Sequence, residues 1–237
     1  MHVEHASGLD SGAASSLLRA MILHGFHGRI AVASSFGTDS AVLLHLVAQI
    51  DRSTPVLMLD TGKLFDETRN YRNTLIEFLG LSDVRALRPD GIWVAAEDAS
   101  GELWRNDPDA CCAGRKVAPL RAALAGFDAW ITGRKRHQAA TRAALEVVET
   151  DSFGRSVINP LAAWSDEDLQ HYRERHNLPE HPLLARGYAS IGCAPCTHAV
   201  LPGENKRAGR WAGLAKTECG IHSRAPAPAT SPAWSVS

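Results

Sequence analysis

The chain has 237 residues, 45% of them apolar and 22% charged, enough for one sizeable core with an appended tail. A formal net charge of -1 excludes the overall basic surface of a nucleic-acid binder. No apolar run approaches the ~18–20 residues that span a bilayer, and MHVEHASGLDSG lacks the basic start and apolar centre of a signal peptide, so a cytoplasmic location is expected.

Residues 1–12 read as a flexible N-terminal arm. A helix is expected over Ala13 to His24, with Leu17, Leu18, Met21 and Ile22 on one face. Arg29 to Ser34 reads as a buried strand that passes through Ser35-Phe36-Gly37-Thr38-Asp39-Ser40 into an amphipathic helix, Ala41 to Gln49. A second strand, Pro55 to Asp60, ends at Thr61-Gly62 and precedes a helix from Phe65 to Leu79. Val84 to Leu87 and Phe127 to Thr132 read as a third and a fourth strand. Strands alternating with helical stretches of about a dozen residues predict an α/β, doubly wound, mainly parallel sheet. Ser165 opens a further helix as its N-cap, with Asp166, Glu167 and Asp168 in the first turn. Asn177 to Pro202 is loop-rich, and residues 224–237 are small, polar and Pro-rich, the composition of a disordered tail.

Three strand ends carry chemistry. A Ser/Gly-rich turn between strand and helix, here Ser34 to Ser40, offers backbone N–H groups, hydroxyls and a positive dipole end to an anion. It is neither a Walker A loop nor a G-x-G-x-x-G fingerprint, and alone it reads equally well as an ordinary turn capped by Asp39 or Ser40. Leu59-Asp60-Thr61-Gly62 adds a second turn at the same sheet edge. Gly133, Arg134, Lys135, Arg136, His137 and Gln138, with Arg142, add cations after the fourth strand. Ligands of open α/β sheets sit at the carboxyl ends of strands. Two donor turns and one cationic turn there favour an anionic, nucleotide-like ligand.

The five cysteines fall as four plus one: an adjacent pair, Cys111 and Cys112, a C-x-x-C at Cys193 and Cys196, and a single Cys219. An odd number in a chain without an export signal argues against a disulfide framework. The four suggest a four-sulfur site, with buried inert thiols as the plainer alternative. Zinc is the default for paired C-x-x-C, but adjacent side chains diverge and strain to reach one ion. A [4Fe–4S] cube presents separate irons, so the adjacent pair leans toward iron–sulfur. Cys219 lies downstream of Arg207 and Arg210 and close to Lys216 and His222, cationic surroundings that favour a thiolate nucleophile. As the plainer reading, it is an accidental cysteine in a tail.

The segments Ser34 to Ser40, Leu59 to Gly62, Cys111-Cys112-Ala113-Gly114-Arg115-Lys116-Val117, Ile191-Gly192-Cys193-Ala194-Pro195-Cys196-Thr197 and Lys216-Thr217-Glu218-Cys219-Gly220-Ile221-His222 together resemble one family. It is the phosphoadenylyl-sulfate/adenylyl-sulfate reductases of sulfate assimilation, matched over nearly all of residues 14–222. The resemblance implies an adenine-nucleotide α-hydrolase-like (PP-loop) fold over 13–202, with a mobile catalytic arm over 203–223. It implies a [4Fe–4S] cluster on the four paired cysteines and adenylyl sulfate as substrate. The phosphosulfate would lie in the PP-loop, Ser35 to Ser40. Cys219 would attack sulfur, release AMP and become S-sulfocysteine, and thioredoxin would then liberate sulfite. Lys116 would link cluster and substrate, and Lys116, Arg136, Arg142, Arg207 and Arg210 would offset the charge repulsion felt by the incoming thiolate. Neither nucleic acid nor membrane is an expected partner, and a homo-oligomer stays open. Two rivals also stay open on the residues: a PP-loop tRNA-thiolating enzyme, and a zinc-stapled nucleotide-binding module without catalysis.

Overall fold

The computed structural model describes residues 11–222, so the tail expected over 224–237 and most of the arm expected over 1–12 lie outside the described residues. The four expected strands form, as Ile30–Ser34 (β1), Val56–Leu59 (β2), Val84–Leu87 (β3) and Ala129–Ile131 (β4). Two that the sequence pattern did not reveal, Val148–Thr150 (β5) and Ser156–Ile158 (β6), complete a six-stranded sheet. Its order is β3-β2-β1-β4-β6-β5, parallel throughout except for β5 against β6. The chain moves outward from β1 to β3 on one side, then crosses to β4 on the other. This reversal between β1 and β4 is where an open parallel sheet leaves a crevice at its carboxyl edge.

Helices cover both faces. Ser11–Ala20 (α1), Ser40–Ala48 (α2), Asp66–Leu79 (α3) and Asp166–Arg175 (α8) enclose a core with Ile30, Val32, Val56, Met58 and Ile131 from the sheet. Ala31, Leu57, Trp130 and Val157 point to the other face, under Leu120 and Leu124 of Ala118–Leu124 (α7). The two-residue period of a strand feeds both cores at once.

Several elements differ from expectation for physical reasons. α1 gives way to one wide π turn, Met21–Gly25, instead of continuing as α-helix to His24. α2 is not amphipathic: every residue from Ala41 to Ala48 is buried, because α1, α3 and α8 all pack on it. The helix after Ser165 forms as expected and carries a full capping box, with Ser165 and Asp168 bonding each other's backbone N–H. Between β3 and β4 the chain makes Gly91–Glu97 (α4), Leu103–Asn106 (α5) and Pro108–Cys112 (α6), then a second π turn, Ala113–Val117, that runs straight into α7.

Candidate active site

The turns after β1, β2 and β4 meet over the crevice and line a cavity of about 490 Å³. From the β1 turn come Ser34, Ser35, Gly37, Thr38, Asp39 and Ser40; Leu59 and Thr61 follow from β2, and Gly133, Arg134 and Lys135 from β4. The first turn is braced from within. Phe36 takes φ 48, a left-handed conformation that costs a bulky residue of order 1–2 kcal/mol. Its fully buried ring anchors that geometry, and its N–H donates to Ser34 Oγ at 3.2 Å. Asp39 stands at the N-cap of α2, yet its side chain makes no cap. The carboxylate instead accepts from Lys135 Nζ at 2.8 Å and contacts Arg173 of α8 at 3.4 Å. Burial opposes the charge on Asp39, but Lys135 and Arg173 outweigh it and hold the carboxyl below its usual range.

The four paired cysteines converge beside this cavity. Cys111, Cys112, Cys193 and Cys196 are all buried, and they line one small hollow with Lys63, Trp104, Pro108, Arg115 and Lys116. Asp107 starts α6 by accepting from the N–H groups of Asp109 and Ala110, with Pro108 in the first turn, so both members of the adjacent pair sit at a helix end. The other pair is docked on the end of β2: Ala194 N–H donates to Lys63 O at 2.7 Å, and Thr61 Oγ1 lies 3.2 Å from Cys193 Sγ. Arg115 ties the two regions together, pairing with buried Asp98 at 2.6 Å and donating to Thr61 O at 2.8 Å. Burial, then the neighbouring thiolates, push the Cys111 thiol up to about 12. Among the described residues no three His, Cys, Asp or Glu side chains gather tightly enough to hold a single metal ion.

Lys116 lines both the hollow and the cavity. Burial works against its charge, but Cys193, Cys219 and Cys112 together hold the ammonium well above its ordinary value. Trp211 packs against Cys112, Cys193 and Cys196 and is ringed by cations, with Arg210, Lys216 and Lys116 at 4.6, 5.6 and 5.8 Å from its centroid.

The segment 203–222 is seated against the site. Arg207 and Arg210 line the cavity, and so do Glu218, Cys219, Ile221 and His222. Cys219 is partly exposed and packs on the side of the cysteine cluster. His222 stacks on Trp130 at 5.1 Å with the rings 6° from parallel. Burial, with Arg134 and Arg142 nearby, pushes His222 well below its ordinary value, so its ring is neutral.

Four of the residues expected to bind substrate do not line the cavity. Phe36 is spent on the core. Asp60 accepts from Gly62 N–H and from Arg88 at 3.2 Å. Gly62 turns with φ 73 beside the Arg115 guanidinium. Arg136 points away, its Nε donating to Leu145 O at 2.8 Å. Lys116, Arg142, Arg207, Arg210, Cys219 and His222 are brought together as expected. Sequence reasoning passed over Arg173, counted Lys135 only as one of the cations after the fourth strand, and noted Glu218 only within the segment around Cys219. Lys135 stands in a run of cations that looks solvated, and only its place directly after a buried strand hinted otherwise.

Comparison with other proteins points the same way as this geometry. Residues 29–199 match the phosphoadenosine phosphosulfate reductase domain. The adenosine 5'-phosphosulfate reductase of Mesorhizobium japonicum is 55% identical over 197 residues, 83% of this chain and 77% of that relative. The protein of the same name from Mycolicibacterium smegmatis is 42% identical over 219 residues, 92% of this chain and 91% of that one. Among solved structures, a phosphoadenylyl-sulfate reductase from Candida auris in a phosphate complex superposes with a TM-score of 0.67 at 24% identity, covering 81% of this chain and 91% of that one. Yeast FAD synthetase in complex with FAD follows at 0.54 and 20% identity, over 84% and 70% of the two chains. The doubly wound PP-loop architecture expected from the sequence is thereby borne out. With the family match running from the start of β1 to just beyond the second cysteine pair, and relatives this similar over four-fifths of its length, the chain belongs to the phosphoadenosine phosphosulfate reductase domain family.

Proposed function

We propose that the protein is a cytoplasmic, thioredoxin-dependent reductase that converts adenylyl sulfate to sulfite and AMP in assimilatory sulfate reduction. One observation carries the reading: Cys219 borders the same cavity as the β1 turn, Lys116, Arg142, Arg207 and Arg210. A thiol is thus set among cations at the carboxyl edge of a nucleotide-type sheet. The curated relatives named adenosine 5'-phosphosulfate reductase support adenylyl sulfate over its 3'-phosphorylated form.

The β1 turn and the N-terminal end of α2 bind the phosphate, and the cations bind the sulfate. The Cys219 thiolate attacks sulfur, the sulfur–oxygen bond to phosphate breaks, and AMP leaves with the electron pair. Cys219 is left as S-sulfocysteine. A thiolate of thioredoxin then attacks the Cys219 sulfur, sulfite departs with the pair, and the second thioredoxin thiol resolves the mixed disulfide. Both electrons come from thiols. No described helix is long and apolar enough to cross a membrane, and the need for reduced thiols suits the cytoplasm.

The hollow fits a [4Fe–4S] cluster: four buried thiols from two segments surround it, and Lys63, Arg115 and Lys116 stand beside them to balance a thiolate cluster's negative charge. Cys111, Cys112, Cys193 and Cys196 would hold the cluster, which would supply a tether between segments and a local field. Lys116 lines both hollow and cavity, and would set a cation between that group and the substrate's anion.

Anaerobically purified protein given adenylyl sulfate without reductant should gain the mass of one SO₃ on Cys219. Cys219→Ser should keep its iron and bind AMP, yet form no adduct and release no sulfite. Thioredoxin-dependent sulfite release by Cys219→Ser would sink the assignment.

A further inference from the structure

The reaction proposed above gives no part to Glu218, the residue that precedes the nucleophile, although the structure places it at the centre of the cavity's charges. Its carboxylate takes a two-pronged grip on Arg142: Nε donates to Oε1 and a terminal nitrogen to Oε2, both at 2.7 Å. Arg207 adds a contact at 3.3 Å and donates to the Thr217 carbonyl at 2.6 Å. Arg142 is further held by Gln138 Oε1 at 2.7 Å. A single side chain thus fastens the arm to the turn after β4 and, through Arg207, ties the end of the arm to its own beginning. On the other side of Thr217, Lys216 pairs with Asp109 of α6. Gly213 and Gly220, at φ 82 and 86, bracket this stretch with backbone that turns freely.

We propose that Glu218 is a positioning residue: its grip on Arg142 and Arg207 seats the arm so that the Cys219 thiol faces the bound sulfonucleotide, and breaking that grip frees the thiol for the reductant. The role rests on the reductase reading. The strength of the contact suits a latch. A charge-assisted two-pronged pair is stronger than an ordinary surface ion pair. With 29% of the Glu218 side chain still exposed, the pair is not locked away from water and can open. The hinge glycines localise the opening to the residues around Cys219.

The test uses the full chain, purified anaerobically, with Glu218→Gln and Glu218→Asp. Without nucleotide, iodoacetamide should alkylate Cys219 about tenfold faster in Glu218→Gln than in the parent, followed by peptide mass, because a charge-assisted grip of this kind shifts an equilibrium by about that much. Single-turnover adduct formation from adenylyl sulfate should slow by about tenfold. AMP should bind no more weakly than to the parent, and Glu218→Asp, which keeps the charge, should fall between the two. Unchanged alkylation in Glu218→Gln overturns the latch. A loss of AMP affinity matching the loss of adduct rate also overturns it, since Glu218 would then serve binding and not placement. If the parent formed no adduct, the reductase reading would fail, yet the alkylation comparison would still decide whether Glu218 holds the arm. Should Glu218→Gln fail to fold, the same alkylation comparison on Glu218→Asp carries the decision.

Discussion

Lys135 lines the cavity with a side chain only 1% accessible, and its carboxylate partner is Asp39. A buried lysine whose partner is removed, or the reverse, leaves a charge without compensation, which costs about 3–5 kcal/mol, whereas replacing both at once is close to neutral. Lys135→Met should therefore destabilise the fold by about 3 kcal/mol in urea unfolding, softened by the residual Arg173 contact. The double variant Lys135→Met with Asp39→Asn should regain most of that. Equal stability of the single variant and the parent would show that the pair does not brace the β1 turn. Since Asp39 is held below its ordinary value, its contribution is in place above pH ~3.9 and is lost as pH falls through the lower folded value. None of this was legible in the sequence. In a run such as Gly133 to Gln138, only the direction of the preceding strand decides which cation turns inward, and the partner lies 96 residues away.

At the scale of elements, the stretch from Pro108 to Leu124 shows how one extra residue serves the site. A π turn at Ala113–Val117 holds a residue more than an α turn, so it rotates α6 relative to α7. Leu120 and Leu124 can then face the sheet while Cys111 and Cys112 face the hollow. Gly114 sits inside that turn because the Trp93 ring lies on it: a Cβ there would fall 2.0 Å from the ring. Gly114→Ala should cost about 1–3 kcal/mol of stability by overpacking. It should also lower the content of the proposed iron, since the displaced turn directly follows the adjacent cysteines at the end of α6. Normal melting temperature and iron together would refute that coupling. Long elements with an uninterrupted period, such as β1 and α3, were legible, and the expected N-cap at Ser165 formed. The β5–β6 hairpin was not, because its three-residue strands are too short to show alternation. The segment from Gly91 to Leu124 was missed because its helices are short and broken by turns.

Over the whole molecule, the sheet and the cysteine hollow are stabilised by different means, and this separates binding from chemistry. The turns that line the cavity hang from strands buried on both faces. The hollow instead joins two segments roughly eighty residues apart, one on α6 and one on the loop that docks against the end of β2. That pairing was legible as four plus one in the sequence. The meeting of the hollow with the cavity through Lys116 was expected from the family resemblance and not from composition or spacing, since it depends on how the stretch from α6 to α7 packs against the sheet. The proposed cluster, bridging such segments, would close a long loop, and a crosslink over roughly eighty residues is worth about 4–5 kcal/mol in chain entropy alone. If the hollow holds that cluster, extracting its iron anaerobically should lower unfolding stability by a similar amount, about 4 kcal/mol, with the loss concentrated in hydrogen exchange of residues 103–117 and 190–197. The β1 turn and its Asp39–Lys135 brace do not depend on that closure, so AMP should still bind. Adduct formation on Cys219 should slow, because Lys116 and Trp211 lose the surface that orients them. Iron-free protein as stable as the loaded form would mean that the four thiols pack well enough unaided, and the hollow would then need another explanation.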